Sequence, residues 1–288
     1  MNIGFIGAGR MGTSLACLFA NREITISGFY DIDHAKASTA AVSCNTLFFP
    51  TSEALWTASD AIFITTNDSA IEAACNEIAA YANDQKKVIF HVSGLLSSSV
   101  LESARKAGHY TLSLHPLQSV TGGHAGAQRL ENCLFTIEGN DTALNTAQPL
   151  LKNCRISVKR ILAEQKIAYH TAASIACNHF FSLIATAVEL LGQAGFSQQE
   201  TVNALLPLIQ GSIDNLAANG LENAITGPII RGDIATIQKQ MECISKALPD
   251  DADMFRKTGN KLVRIAQNAH HINAETAKQI SIILEGGL

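Results

Sequence analysis

The sequence has few charged residues and no excess of either sign that would suit a polyanionic partner. Of its 288 residues, 16% are charged, and 21 basic against 25 acidic side chains give a formal net charge of −4. Nucleic-acid-binding domains concentrate lysine and arginine on one face and have a high pI. The composition therefore argues against nucleic acid as a partner, and we expect a small-molecule ligand instead.

The cysteines show none of the paired spacings that mark a metal or disulfide framework. Seven are present, and they are scattered singly without a C-x-x-C motif. Such pairs are typical of zinc sites, whereas disulfide frameworks belong to small secreted domains. We therefore expect no metal site, and reduced thiols that pack in the core of a cytoplasmic protein.

Long hydrophobic runs are also missing, since no uninterrupted apolar stretch approaches the roughly 20 residues of a membrane span. The N-terminal stretch is apolar, but it lacks the basic residues that open a secretory signal, and four glycines interrupt it before Thr13. We expect a cytoplasmic protein with no membrane association.

The strongest motif lies in the first twelve residues, which are typical of a short buried strand, a glycine-rich turn and the start of a helix. Gly7, Gly9 and Gly12 have the G-x-G-x-x-G spacing of a dinucleotide-binding turn. The glycines allow a tight turn, the approach of a pyrophosphate and close packing of the helix, whose N-terminus then faces the phosphates. Arg10 and Met11 lie in the same turn. A glycine-rich turn that only packs is the alternative, but the flanking strand and amphipathic helix favour the dinucleotide site.

Asp31 ends the second predicted strand, nineteen positions after Gly12. An acidic side chain there accepts hydrogen bonds from the adenine ribose and repels a 2′-phosphate, so it favours NAD over NADP. Asp31 or Asp33 could instead cap the helix that follows. Lys36 could still serve a phosphate, so both cofactors stay open.

Two later strands are predicted to end in polar residues at the same edge of the sheet. Thr66 and Asn67 follow the fourth strand, and Ser93 and Gly94 follow the fifth. The ligand crevice of such a sheet lies at the carboxyl ends of its strands. We therefore expect these residues to border the cofactor, with plain helix capping as the alternative for Thr66 and Asn67.

The pattern of the chain changes near residue 160. Strand-like runs alternate with helices before this point, and a 3.6-residue periodicity dominates after it. We therefore predict an α/β fold in which residues 1–160 form a doubly wound parallel Rossmann sheet. Residues 161–288 are predicted to form an all-helical substrate domain.

A polar stripe marks the long helix predicted from about residue 164 to 194. Lys166, His170 and Cys177 repeat on one face at 100° per residue, with Asn178 to one side. Simple solvation is one explanation of the stripe. The other is that the stripe closes the cofactor crevice and presents a proton donor, a role for which the pKa of His170 is suited.

Other candidates lie at a strand end and in a loop. His115 ends the sixth strand, where it is either a rival proton donor or a structural residue that lines the site. His91, in the middle of a strand, is expected to be a hydrogen-bonded core histidine. Arg231 lies in a loop bounded by glycine and proline, where it could clamp a substrate carboxylate, although Asp233 beside it is an adequate helix N-cap.

With these residues laid out, the chain resembles a family that joins a Rossmann-like domain to a helical domain of unknown function. Its wider relatives are pyrroline-5-carboxylate reductase, ketopantoate reductase and the β-hydroxyacid dehydrogenases. The matching signatures span nearly the whole chain: Gly-Ala-Gly-Arg-Met-Gly12, Thr66-Asn-Asp68, His91-Val-Ser-Gly94, Leu114-His-Pro116, Tyr169-His-x-Ala-Ala173 with Asn178, and Gly227-Pro-x-x-Arg-Gly-Asp233.

The resemblance implies a nicotinamide-dependent oxidoreductase that forms a homodimer through its helical domain. In the hydroxyacid and ketopantoate relatives, a lysine on the first helix of the second domain, with an asparagine four residues on, orients and protonates the substrate. Lys166 occupies the lysine position, whereas His170 stands in place of the asparagine. The sequence thus predicts a reductase of a small carboxylate-bearing keto or imino compound, or a dehydrogenase in the reverse direction. A non-catalytic NAD(P)-binding redox sensor is the alternative.

Overall fold

The structure, a computed structural model, describes residues 1–81 and 85–286. Its strands are β1 (Ile3–Ile6), β2 (Ile26–Tyr30), β3 (Leu47–Phe48), β4 (Ala61–Ile64), β5 (Val88–His91), β6 (Tyr110–Pro116), β7 (Leu134–Glu138) and β8 (Ser157–Arg160). The helices among them are α1 (Arg10–Ala20), α2 (His34–Ser43), α3 (Ser52–Ala58), α4 (Asp68–Ala79), α5 (Glu102–Lys106), α6 (Gly123–Leu130) and α7 (Asp141–Asn153).

The α-helices described after β8 are α8 (Lys166–Ser174), α9 (Phe180–Gln193), α10 (Gln198–Ala224), α11 (Pro228–Arg231), α12 (Ile234–Ala247), α13 (Ala252–Asn268) and α14 (Ala274–Leu284). Short 3₁₀ segments cover Ser98–Leu101, Ala163–Gln165 and Pro249–Asp251, and a π-helical turn covers Ile175–His179.

The strands form one sheet in the order β3-β2-β1-β4-β5-β6-β7-β8. Strands β1 to β6 are parallel, β7 is antiparallel to β6, and β8 is parallel to β7. The strand order reverses around β1, which lies between β2 and β4, and doubly wound folds bind ligands at such a switch point. The predicted fold class, a Rossmann sheet followed by a helical region, is confirmed. We call the edge at which β1 to β6 end the carboxyl edge.

The central strands β1 and β4 are buried on both faces, which explains why they are continuously apolar. Alternate residues of β1 serve opposite faces: Phe5 joins one apolar cluster and Ile6 the other. The Phe5 ring stacks against Phe29 at 5.3 Å and against Phe63 at 5.4 Å, measured between ring centroids. This packing across three adjacent strands fixes the carboxyl edge from which the candidate site is built.

Helix α6 was not predicted from the sequence, because its glycine-rich stretch has a low intrinsic helix propensity. It is formed by packing against α1, and Gly126 is the close contact. A Cβ at Gly126 would lie only 1.9 Å from the Ser14 Oγ atom. The lack of a side chain at Gly126 lowers the helix propensity of this segment, but it is also what allows the two helices to meet.

The chain divides into two compact units, Met1–Ala176 and Cys177–Leu288. The first contains the sheet, its flanking helices and α8. The second contains α9 to α14, with a core that includes Ile237, Val263 and Ile280. Within it Asp233 caps α12, as predicted, because its carboxylate accepts a hydrogen bond from the Thr236 N–H group at 3.1 Å.

The long helix predicted from residue 164 to 194 is interrupted by the π turn at Ile175–His179. A π turn inserts an extra residue into the helical register. The uniform step of 100° that placed Cys177 and Asn178 beside Lys166 therefore does not hold across this turn, and the positions of these two residues on the stripe stay predictions.

One helical stretch among the described residues, Ala163–Gln193, is long and apolar enough by composition to cross a membrane, with a mean hydropathy of 1.4. Lys166, His170 and Asn178 interrupt this stretch, so it is not an uninterrupted apolar run of the kind that the sequence was expected to lack. Its first turns are nevertheless packed on the sheet, since the Lys166 ammonium is buried and donates hydrogen bonds to Ser93 and Ser113.

Candidate active site

Each glycine of the turn between β1 and α1 is required for a different physical reason. Gly7 has a φ of +102°, and a Cβ there would lie 2.8 Å from the Thr66 nitrogen. A Cβ at Gly12 would lie 2.4 Å from the Gly7 carbonyl oxygen. At Gly9 a Cβ would meet no described atom within 4 Å. Open space at Gly9 is what the approach of a pyrophosphate requires.

The N-terminus of α1 is the second half of this turn. Its N-cap is Gly9, and no side chain of residues 1–81 or 85–286 accepts a capping hydrogen bond there. The first N–H groups of a helix lack intrahelical partners and carry a partial positive charge. Arg10 and Met11 open this helix, so the turn fits the pyrophosphate of a dinucleotide.

Asp31 follows β2 and contacts the glycine-rich turn directly. Its carboxylate accepts hydrogen bonds from the Ala8 N–H group at 2.8 Å and from the Asp33 N–H group at 2.9 Å. Asp33, not Asp31, caps α2 by accepting a hydrogen bond from the Lys36 N–H group. Asp31 therefore holds the turn in place, in addition to the ribose contact predicted for it.

A cavity of about 340 Å³ adjoins this turn. Ala8, Thr13 and Gly123 line one part of it, and Asp33 and Lys36 line another. The Lys36 ammonium lies 3.4 Å from the Asp33 carboxylate. The cavity is therefore bordered by one cation and one anion, both at the start of the helix that follows β2.

Thr66 and Asn67 follow β4 at the carboxyl edge, next to Gly7. Asn67 is the N-cap residue of α4, the position that the capping alternative gave it, although its side chain accepts no capping hydrogen bond from the described residues. Asp68 instead lies in the first turn, where its carboxylate accepts a hydrogen bond from the Ser93 hydroxyl at 2.7 Å.

Ser93 shapes the turn that follows β5. Its hydroxyl also accepts hydrogen bonds from the N–H groups of Leu95 at 3.1 Å and Leu96 at 3.0 Å. Gly94, the next residue, is needed because two imidazoles pack against its backbone. A Cβ there would lie 2.7 Å from His170 Nδ1 and 2.9 Å from His115 Nε2.

Lys166 is enclosed in this region, with a side chain only 1% exposed. Its ammonium donates hydrogen bonds to the Ser93 carbonyl at 3.0 Å and to the Ser113 hydroxyl at 2.5 Å. Burial lowers the pKa of Lys166 to about 8, although Glu138 and Asp68 oppose this. His170 is exposed, but its Nδ1 atom packs against Gly94, next to the Ser93 carbonyl that the lysine bonds. The acceptors that hold the lysine lie in the turn after β5 and on β6.

His115 lies near the end of β6 and is the centre of an aromatic cluster. Its Nδ1 atom is 2.8 Å from the Tyr169 hydroxyl, and its ring meets the rings of Tyr169 and His170 edge-on at 5.6 and 6.3 Å. Burial, followed by the charges of Lys166 and His170, lowers the pKa of His115 to about 4. The His115 ring is therefore neutral at pH 7.

His91 is a hydrogen-bonded core histidine, as predicted. It is fully buried, its Nδ1 atom accepts a hydrogen bond from the Ser93 N–H group, and its Nε2 atom is 3.2 Å from the Ser97 carbonyl oxygen. Burial lowers the pKa of His91 to about 3. It therefore supports the turn after β5 without carrying a charge.

Tyr169 is the site residue that the sequence did not single out. It stands next to His170 in a matching signature and three residues after Lys166, so helical spacing from the lysine could have suggested it. Asn178 and Arg231 lie in the second unit, and both are exposed. Their roles stay predictions. Among residues 1–81 and 85–286, no group of three or more metal-ligating side chains is poised for a metal ion.

Known families match both parts of the chain. Residues 2–161 match the NAD binding domain of 6-phosphogluconate dehydrogenase, and residues 133–262 match a domain of unknown function (DUF2520). No curated protein matches the sequence.

Solved structures share the two-part architecture. Protein TM1727 from Thermotoga maritima is 21% identical, with a TM-score of 0.72 over 93% of this chain and 99% of its own. An imine reductase from a Pseudomonas species is 16% identical, with a TM-score of 0.58 over 94% and 99%. A reductive aminase from Aspergillus terreus, solved with NADPH4, cyclohexanone and allyl amine, is 15% identical, with a TM-score of 0.58 over 99% and 92%. At these identities the likeness shows a shared fold.

A Rossmann sheet with an open glycine-rich turn and an uncapped helix at its switch point defines an NAD(P)-binding domain with an oxidoreductase-like fold. The chain belongs to the family described as the NAD binding domain of 6-phosphogluconate dehydrogenase, because that match covers more than half of its residues.

Proposed function

We propose that this protein is an NAD(P)-dependent oxidoreductase that reduces a small carboxylate-bearing keto or imino compound, or oxidises the corresponding hydroxy or amino compound. The observation that supports it most is the position of the polar cluster. His115 and the turn at Ser93 and Gly94 lie at the same carboxyl edge as the glycine-rich turn, three interstrand spacings or about 14 Å from β1 to β6.

The residues of the first unit fit a nicotinamide dinucleotide. Gly9 and the N-terminus of α1 would hold the pyrophosphate, and Thr66 and Asn67 would border the ribose beyond it. When bound, the nicotinamide supplies or accepts a hydride at the substrate carbon. Asp31 favours NADH, because its fixed carboxylate would repel a 2′-phosphate.

Each polar residue of the cluster has a distinct role in this proposal. His170 is exposed and is the proton donor to the substrate heteroatom, since histidine is the side chain that most often serves as a general acid. His115 lines the site. Lys166 is buried, so it acts by holding the turn at Ser93 rather than by meeting the substrate. Asn178 and Arg231 are kept as substrate-binding candidates on their chemistry alone.

A homodimer in the cytoplasm is part of the proposal. Large apolar side chains of α9 and α10 are exposed in the second unit and line a cavity of about 420 Å³. Phe181 is 67% exposed and Leu206 is 56% exposed. Contiguous apolar surface of this kind is typical of an interface, and a second copy of the chain would cover it.

Steady-state oxidation of NADH and NADPH against a panel of 2-oxo acids and cyclic imines tests the proposed function. We expect turnover with at least one carboxylate-bearing substrate, and none with the matched alcohols, which have no C=O or C=N bond to reduce at that carbon. If nothing is turned over while the cofactor still binds tightly, the protein is a non-catalytic NAD(P)-binding sensor.

A further inference from the structure

We propose that Tyr169 holds His115 in one tautomer, with the proton on Nε2, and that this neutral N–H group binds a carbonyl oxygen. The substrate is then a ketone of the 2-oxo acid class and not an iminium ion. The proposal rests on the proposed function and narrows its substrate class. It also separates this protein from the imine reductase whose fold it shares.

The tautomer follows from the hydrogen bond at Nδ1. A neutral imidazole has one donor and one acceptor nitrogen. Burial raises the pKa of the Tyr169 hydroxyl, so it stays protonated. The Thr136 hydroxyl donates a hydrogen bond to the His115 carbonyl oxygen at 3.5 Å, so its proton does not decide the direction of the Tyr169 bond. A phenol is a stronger hydrogen-bond donor than a neutral imidazole N–H group, and an imidazole nitrogen is a stronger acceptor than a phenolic oxygen. The Tyr169 hydroxyl therefore donates to His115 Nδ1 at 2.8 Å, and the imidazole proton lies on Nε2.

The Nε2 side of the ring meets the Gly94 backbone and His170, the exposed member of the cluster. The charged or titratable groups around His115 are Lys166 and His170, which lower its pKa, together with the phenol of Tyr169 and the neutral His91. No carboxylate is among these groups, although Asp68 and Glu138 act on the neighbouring Lys166. The ring therefore presents a neutral donor to the edge of the sheet where the cofactor would end.

A neutral N–H donor selects between the two substrate classes. A carbonyl oxygen accepts the Nε2–H hydrogen bond, and it accepts it more strongly as negative charge develops. An iminium nitrogen has no lone pair to accept this hydrogen bond. Neutral histidine is an established polariser of carbonyl groups when its pKa is lowered.

The reaction balances without a further reactant. Two electrons and one proton pass as a hydride to the carbonyl carbon, the carbon–oxygen π bond breaks, and the oxygen takes a second proton to become a hydroxyl. His115 stabilises the oxygen and keeps its own proton, because a neutral imidazole is a very weak acid. The second proton comes from His170, which is open to solvent and can be reprotonated.

Nitrogen-15 NMR of protein labelled at histidine tests the tautomer without any substrate. We expect His115, assigned with a His115→Asn variant, to be protonated at Nε2 in the wild type at pH 7. Tyr169→Phe should give a mixture of tautomers, whereas Tyr110→Phe, on the same strand as His115, should leave the signals unchanged. A wild-type ring protonated at Nδ1 overturns the proposal.

Substrate kinetics test the narrowed class. With NADH present, we expect kcat/KM for phenylpyruvate to exceed that for 1-pyrroline-2-carboxylate, and Tyr169→Phe to lower kcat on the ketone by about 10-fold or more with KM little changed. A preference for the imine overturns the proposal. If neither class is turned over, the proposed function fails together with the substrate assignment, and the NMR result alone decides the tautomer.

Discussion

At the scale of single residues, charged side chains at the carboxyl edge position the backbone of the site as well as contacting the ligand that we propose. Asp31 shows this most clearly, because its carboxylate bonds the Ala8 N–H group of the glycine-rich turn. Its spacing from the glycine motif predicted a contact between Asp31 and the adenine ribose. The hydrogen bond back to the turn was not predictable, because it depends on the side-chain rotamer in the folded sheet.

Substitution of Asp31 should change cofactor choice. We expect Asp31→Ser to raise the ratio of NADPH to NADH affinity, since it removes the negative charge where a 2′-phosphate would lie. Asp31→Asn also removes the charge but keeps an amide oxygen that can accept the hydrogen bond from the turn. It should therefore raise the same ratio with a smaller loss of affinity for both cofactors than Asp31→Ser causes. Fluorescence titration of both cofactors measures this. Tighter binding of NADPH by the wild type would instead assign the dominant role to Lys36.

Lys166 should make stability depend on pH. Its pKa is about 8 in the fold, against 10.5 for a free lysine, so between these values the unfolded chain binds more protons. The free energy of unfolding therefore rises with pH across this window, by up to about 3 kcal/mol for this group. Below pH 8 the buried ammonium lowers the free energy of unfolding by this full amount.

Urea unfolding of the wild type and Lys166→Met at pH 7, 8, 9 and 10 isolates this contribution, because other groups titrate in both proteins. We expect the wild type to gain stability relative to the variant as the pH rises. If the difference in the free energy of unfolding between the two proteins stays constant across the series, the Lys166 ammonium is solvated in the folded protein.

At the scale of secondary structure, the sequence predicted the elements whose signals are local. The apolar strands and the glycine-rich turn are of this kind, because strand burial and turn geometry follow from neighbouring residues. Helix α6 and the π turn at Ile175–His179 were missed. Helix α6 depends on a contact between Gly126 and Ser14, more than a hundred residues apart, and a π turn has no distinctive residue pattern.

The glycine-rich turn yields a matched pair of variants. Gly9→Val should abolish NADH binding and leave the Tm almost unchanged, because a side chain there enters open space that the pyrophosphate needs. Gly7→Ala should destabilise the fold by about 1–3 kcal/mol, since it combines a positive φ with backbone atoms at 2.8 Å. Titration and thermal unfolding measure the two effects. Equal cofactor binding by Gly9→Val would place the dinucleotide elsewhere.

At the scale of the whole molecule, the two-part plan was predictable from the change in periodicity, whereas the surface that a second copy would cover was not. A long apolar helix looks the same in sequence whether it packs in a core or against a partner. The apolar side chains of α9 and α10, such as Phe181 and Leu206, are exposed in the single chain. Their exposure favours packing against a partner over packing in a core.

Light scattering after size-exclusion chromatography tests the dimer. We expect the wild type to have twice the chain mass of 30.7 kDa. Phe181→Glu combined with Leu206→Glu should yield monomers, because burial of two carboxylates in an apolar interface is unfavourable. Val42→Glu is the control, since Val42 is 80% exposed on α2 of the first unit. A monomeric wild type would contradict the proposed assembly.

The central claim is that the cluster at the carboxyl edge performs chemistry on a nicotinamide cofactor, and turnover by His170→Ala tests it most directly. With a 2-oxo acid that the wild type reduces, we predict that His170→Ala lowers kcat by roughly 10²–10⁴-fold, as expected for the loss of a general acid. The Kd for NADH should change by no more than a few-fold, because His170 does not belong to the glycine-rich turn. Wild-type turnover by His170→Ala would contradict the account.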